Sequence, residues 1–106
     1  MQITLECLNE PNSPEFIVEA DEVKIAHPEF VIGRASDCDL RLDSTFVSRH
    51  HCELVVDHRA LAVRVRDLGS QNGTYVNRVV VTDEQELKDG DQLTVACVPF
   101  EVHIRN

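Results

Sequence analysis

Three short polar segments carry the side chains best suited to chemistry: Gly33-Arg34-Ala35-Ser36, Ser48-Arg49-His50-His51 and Ser70-Gln71-Asn72-Gly73-Thr74. Guanidinium groups, hydroxyls and amides are the donor types that hold an anion through side chains and backbone together. Other chemistries fit these residues less well. Ser48, His50 or His51, and Asp67 are the residue types of a hydrolytic triad. Nothing signals a nucleophile elbow, however, and a loop this short encloses little pocket, so no catalysis is expected. His50, His51 and Cys52 are adjacent, but alternate side chains of an extended segment point to opposite faces and do not converge on one metal. Asp37, Asp39 and Asp43 lack the remaining ligands and the closing glutamate of a calcium loop. Cys7, Cys38, Cys52 and Cys97 are far apart with no C-x-x-C pair. They read as reduced thiols, three of them within apolar runs where a cysteine behaves as a small hydrophobe. No metal site and no cofactor are expected.

The elements that must position these segments read as strands. Short, alternating apolar stretches rich in Val, Ile and Thr favour extended structure over helix. The expected strands are Ile3–Leu8, Glu15–Ala20, Glu29–Ile32, Leu40–Leu42, Cys52–Val56, Ala62–Arg66, Thr74–Val76, Val79–Val81, Gln92–Ala96 and Phe100–Ile104. Turn signals separate them: Asn9 to Pro14, Ala35 to Cys38, Asp57 to Ala60, Gly69 to Gly73, and Asp89-Gly90-Asp91. Many short strands so punctuated make an all-β fold, an antiparallel sandwich or barrel whose loops gather at one end. In Leu61–Arg66 the alternation puts Leu61, Val63 and Val65 inward and Arg64 and Arg66 outward. Residues 83–89 have some helical character, which Gly90 stops within about two turns.

The chain has 106 residues, 42% hydrophobic and 27% charged, which is the size and composition of a single domain spanning 1–106. Its net charge of -9 argues against broad attraction to nucleic acid or to an anionic membrane, so any bound anion must be held locally. The charge is uneven. Residues 1–32 carry one basic and seven acidic groups, residues 33–78 seven and six, and residues 79–106 two and six. The middle block holds seven of the eight arginines, the residue type suited to fixed multi-donor contacts. No apolar run approaches the roughly 18 residues of a membrane span, and the N-terminus lacks a basic-then-apolar leader. A soluble, cytoplasmic protein is expected.

Four motifs in order carry a family resemblance: Phe30-Val31-Ile32-Gly33-Arg34, Ser48-Arg49-His50-His51, Asp67-Leu68-Gly69-Ser70-Gln71-Asn72-Gly73-Thr74-Tyr75-Val76-Asn77, and Leu87-Lys88-Asp89-Gly90-Asp91. Together they resemble the forkhead-associated (FHA) domain family over roughly residues 25–104. The resemblance implies an eleven-stranded β-sandwich that recognises phosphothreonine in proteins marked by Ser/Thr kinases, monomeric, without catalysis and without a cofactor. By that resemblance Arg34 reaches a phosphate oxygen, Ser48 donates its hydroxyl to the same group, and Arg49 adds a further contact. Asn72 holds the peptide backbone, with Ser70 and Gln71 beside it. His51 braces the loops from beneath, Gly33 and Gly73 are structural, and Thr74 and Asn77 tie the loop down. Arg78 and Ala96 stand where the family often has glycine, and Gln71 where Ser, Thr or a basic residue is common. The alternative is a phosphate-independent scaffold whose strand faces mediate protein association.

Overall fold

The structure is a computed structural model and describes residues 2–8, 17–18, 22–24, 29–57 and 59–105. Among them are twelve strands and no helix: β1 (Gln2–Cys7), β2 (Ile17–Val18), β3 (Glu22–Lys24), β4 (Glu29–Gly33), β5 (Leu40–Asp43), β6 (Cys52–Asp57), β7 (Ala62–Asp67), β8 (Thr74–Val76), β9 (Val79–Val80), β10 (Glu84–Leu87), β11 (Gln92–Val95) and β12 (Val98–Arg105). They form two six-stranded sheets, ordered β3-β1-β12-β11-β8-β9 and β10-β7-β6-β4-β5-β2. Of the expected strand Glu15–Ala20, only Ile17 and Val18 fall within the described residues.

Alternation packs the sandwich. In β7, Val63 and Val65 are buried while Arg64 and Arg66 face out, but Leu61, expected inward, precedes the strand in a turn with φ of 52° and is 56% exposed. The same parity sends Leu54, Ile32, Leu93, Phe100 and Val102 into the layer between the sheets, where all are essentially inaccessible to solvent. Each such side chain contributes about 1.5–3 kcal/mol of burial.

Three further features depart from the sequence reading. All strand pairs are antiparallel except β4 with β5, which run parallel through Ile32↔Leu40 and Gly33↔Arg41. Residues 84–87 are extended rather than helical: β10 pairs with β7, setting Glu84 opposite Arg66 and Glu86 opposite Arg64. Arg64 also meets Glu84 at 3.1 Å, a diagonal acid–base pair of the kind that supports cross-strand pairing. Short β3 was not anticipated either.

Register decides where the polar segments lie. Ile32 of β4 is opposite Cys52 of β6, and Cys52 is opposite Asp67 of β7. The loops leaving β4, entering β6 and leaving β7 therefore emerge at one end of the same sheet.

Candidate anion-binding site

The loops at that end are joined by backbone. Arg34 N–H donates to the Ser48 carbonyl at 3.0 Å, Ala35 N–H to Arg49 at 3.0 Å, and His51 N–H to Ile32 at 2.9 Å. Such close approach requires glycine at position 33, because a Cβ there would lie 2.2 Å from the Arg49 carbonyl oxygen. The loops after β4 and before β6 thus behave as one surface.

Arg34 is exposed, and its Nε donates to the Val47 carbonyl at 3.1 Å. That single bond orients the guanidinium and leaves its terminal nitrogens with no partner among the described residues. The next residue, Ser48, accepts the Gln71 backbone N–H on Oγ at 3.0 Å. The serine hydroxyl proton is therefore still available to an incoming acceptor. Arg49 is also exposed, and its side chain makes no bond among the described residues.

His51 lies beneath, with 0% of its surface exposed. Its Nδ1 accepts the Ser48 N–H at 3.0 Å, and its Nε2 lies 2.7 Å from the Gly73 carbonyl. These partners dictate the neutral tautomer with the proton on Nε2, donating to Gly73. Burial holds the imidazole below its ordinary pKa, against the opposing pull of the Gly73 carbonyl and the Asp67 charge. Since its Nδ1 is filled by a backbone N–H, His51 is not positioned to take the Ser48 hydroxyl proton.

The third loop is organised by Asp67, a role the sequence reading did not give it. Its Oδ2 accepts the N–H groups of Gly69 and Ser70, both at 3.0 Å. Its Oδ1 accepts the hydroxyls of Ser70 at 2.6 Å and Thr74 at 2.8 Å. Partial burial opposes the carboxylate charge, but the Ser70 and Thr74 hydroxyls and the Ser70 and Gly69 amides outweigh it, and the pKa is lowered. An aspartate two and three residues before Gly-Ser is the sequence signal that could have identified this turn.

This network reassigns Ser70. Its hydroxyl proton goes to Asp67 while its oxygen accepts the Gly73 N–H at 3.0 Å, so the side chain braces the loop and has no proton left for a ligand. Asn72 donates through Nδ2 to the Phe46 carbonyl at 2.7 Å, which leaves its second amide proton and its Oδ1 for another chain. The Tyr75 hydroxyl donates to the Asn72 carbonyl at 3.2 Å and occupies the space a Cβ on Gly73 would need. Gly73 itself has a φ of +88°. Gln71 is exposed, and among the described residues only its backbone is engaged. Asn77 fastens the far end of β8, donating to Asp91 at 2.9 Å and accepting the Gln92 N–H at 2.9 Å. Together the three loops present two arginines, a serine hydroxyl and an asparagine amide over a rigid, neutral histidine support.

Comparison with known proteins finds related chains. The family model described as FHA domain matches residues 30–96. The glycogen accumulation regulator GarA of Mycobacterium tuberculosis is 43% identical over 63 residues, covering 59% of this chain and 37% of GarA. The transcriptional regulatory protein EmbR of the same organism is 38% identical over 73 residues, covering 69% of this chain and 18% of EmbR. This chain thus spans well under half the length of either relative. A solved FHA domain studied for phosphothreonine-dependent interactions superimposes with a TM-score of 0.83 at 28% identity, covering 100% of this chain and 99% of that one.

Proposed function

The chain belongs to the FHA domain family, and from that premise we propose that it is a phosphothreonine-recognition module for proteins marked by Ser/Thr kinases. The observation that carries this reading is local. The carbonyl that anchors the Arg34 guanidinium belongs to Val47, next to Ser48, whose hydroxyl proton is uncommitted. The adjacency of the Val47 anchor and Ser48 supports one phosphate shared by Arg34 and Ser48, with exposed Arg49, next in the chain, as a second cation.

The roles follow from what each group has left to give. Arg34 supplies charged donors to the phosphate, Ser48 a hydroxyl donor, and Arg49 a further cation. Asn72 holds the peptide backbone with its free amide groups, and Gln71 lines the same edge. Ser70, His51, Thr74, Asn77, Gly33 and Gly73 hold the loops. Charge-assisted hydrogen bonds contribute roughly 1.5–3 kcal/mol each, so three converging on a phosphate of about -1.5 to -2 charge supply much of a micromolar affinity. The module does no chemistry on its partner; it acts as a monomer in the cytoplasm.

Calorimetric titration of a phosphothreonine peptide against the domain and its Arg34→Ala variant tests the reading. Affinity should fall about 100-fold, the loss of roughly 2.7 kcal/mol, while the fold is retained. An unchanged affinity would remove Arg34 from the site.

A phosphate-independent contact has its own support in Val79 and Val80, which are 68% and 52% exposed on the sheet-edge strand β9. Phosphatase treatment of a captured partner separates the two, because a contact through β9 survives it.

A further inference from the structure

We propose that Asp37, Cys38 and His50 form a zinc site that clamps the turn after β4 to the loop before β6. The carboxylate of Asp37, Sγ of Cys38 and a ring nitrogen of His50 all lie within 4.8 Å of one another. His50 Nε2 is already 2.9 Å from Asp37 Oδ1 and 3.1 Å from Oδ2. Zn–S and Zn–N bonds of about 2.3 and 2.0 Å set tetrahedral ligands roughly 3.5 Å apart. Closing the set therefore takes about 1 Å of side-chain rotation. The Asp37 and His50 side chains, 72% and 50% exposed, are free to make it.

Three arguments select the ligand. Thiolate, imidazole and carboxylate together are a zinc donor set, whereas magnesium and calcium require oxygen ligands. The two sides of the site come from different loops, so the alternation that separates His50 from His51 does not apply: Asp37 and Cys38 reach His50 across the bonds that join Ala35 to Arg49. The local charge also suits a dication. Asp37 and Asp39 flank Cys38 in the chain, and the Asp37 carboxylate lies within 4.8 Å of its Sγ. Their negative charge attracts Zn2+.

In the metal-free protein the Cys38 thiol donates to the Arg49 carbonyl at 3.1 Å. As the Zn–S bond forms, the thiol proton leaves to solvent; the proton that His50 Nε2 gives to its bond with Asp37 is lost to solvent while Nδ1 takes one up, which frees the Nε2 lone pair for the metal, and no electron is transferred. The Arg49 carbonyl keeps its bond from Ala35 N–H and is not orphaned. Three protein ligands leave a fourth position for water. The metal joins the two loops that carry Arg34 and Arg49, yet it uses neither arginine.

The test is titration of the reduced domain with Zn2+ by calorimetry, together with the near-ultraviolet absorption of the Co2+ form, which reports a cobalt–thiolate bond. One-to-one binding is expected, with the melting temperature raised by roughly 5 °C or more at saturation. Cys38→Ser and His50→Ala should each weaken Zn2+ binding about 100-fold, at least as much as loss of an outer-shell partner costs. Cys38→Ser should also abolish the thiolate band, and Cys97→Ser, altering an exposed thiol elsewhere, should leave it intact. The proposal is overturned by binding no tighter than about 1 mM, by equal affinity in Cys38→Ser and the parent, or by a thiolate band that disappears with Cys97 instead.

Discussion

His51 offers no group to a ligand and yet connects two of the three binding loops, through Ser48 on one side and Gly73 on the other. Replacing it with alanine leaves the Ser48 N–H unpaired and takes one of two donors from the Gly73 carbonyl, which keeps the Ala96 N–H at 2.9 Å, so His51→Ala should lower stability by about 1–3 kcal/mol in urea unfolding. Its lowered pKa also has a pH signature. The unfolded chain takes up a proton near pH 6.5, where the folded imidazole stays neutral, so protonation favours unfolding. The stability His51 contributes is complete above about pH 6.5 and is lost progressively as pH falls from there toward the lowered folded value. The urea midpoint, followed from pH 8 to pH 5, should decline less steeply in the alanine variant; an identical decline would show that His51 is not the group responsible. Arg34, Ser48, Arg49 and Asn72 are legible as candidates because each stands in a short polar run within a family motif. The sequence puts Ser70 among the ligand contacts and offers Asp67 as a triad member, not as the loop's organiser, for one reason. Which hydroxyl proton goes to which oxygen depends on three-dimensional angles that residue type does not encode.

Strand β10 shows the same limit for elements. Its residues Glu84, Gln85 and Glu86 are all exposed and only Leu87 is buried, so the two-residue period from which strands are read is missing. Pairing with Arg64 and Arg66, not an apolar face, makes it extended. The core strands were legible because both parity and turn residues marked them, whereas the parallel β4–β5 pair was not, since alternation carries no strand direction. Two element-scale predictions follow from the backbone. Asn77 and Arg78, joining β8 to β9, have φ of 49° and 70°, a conformation that disfavours an arginine. Arg78 is exposed, so Arg78→Gly should stabilise the hairpin by about 0.5–1 kcal/mol, read as a higher melting temperature. Gly33→Ala should have the opposite effect. Its Cβ meets backbone at 2.2 Å, and a cost of about 3 kcal/mol, at the upper end for overpacking, should accompany weakened ligand binding. A fully stable Gly33→Ala variant would mean that the two loops can separate without loss.

At the scale of the whole molecule, a small cationic mouth sits on a body of net charge -9. The body repels acidic peptide while the mouth attracts phosphate, so a bound phosphopeptide should have neutral or basic residues beside its phosphothreonine. Its affinity should weaken with added salt, less steeply than that of a nucleic-acid binder, because one phosphate is engaged. The most direct measurement is a calorimetric comparison of three peptides identical except for phosphothreonine, phosphoserine or unmodified threonine at one position. The threonine methyl restricts χ1 and buries one carbon worth about 0.8 kcal/mol. The account predicts micromolar binding of the phosphothreonine peptide, roughly tenfold weaker binding of phosphoserine, and none of the unmodified peptide. Equal binding of the phosphorylated and unmodified peptides would contradict it.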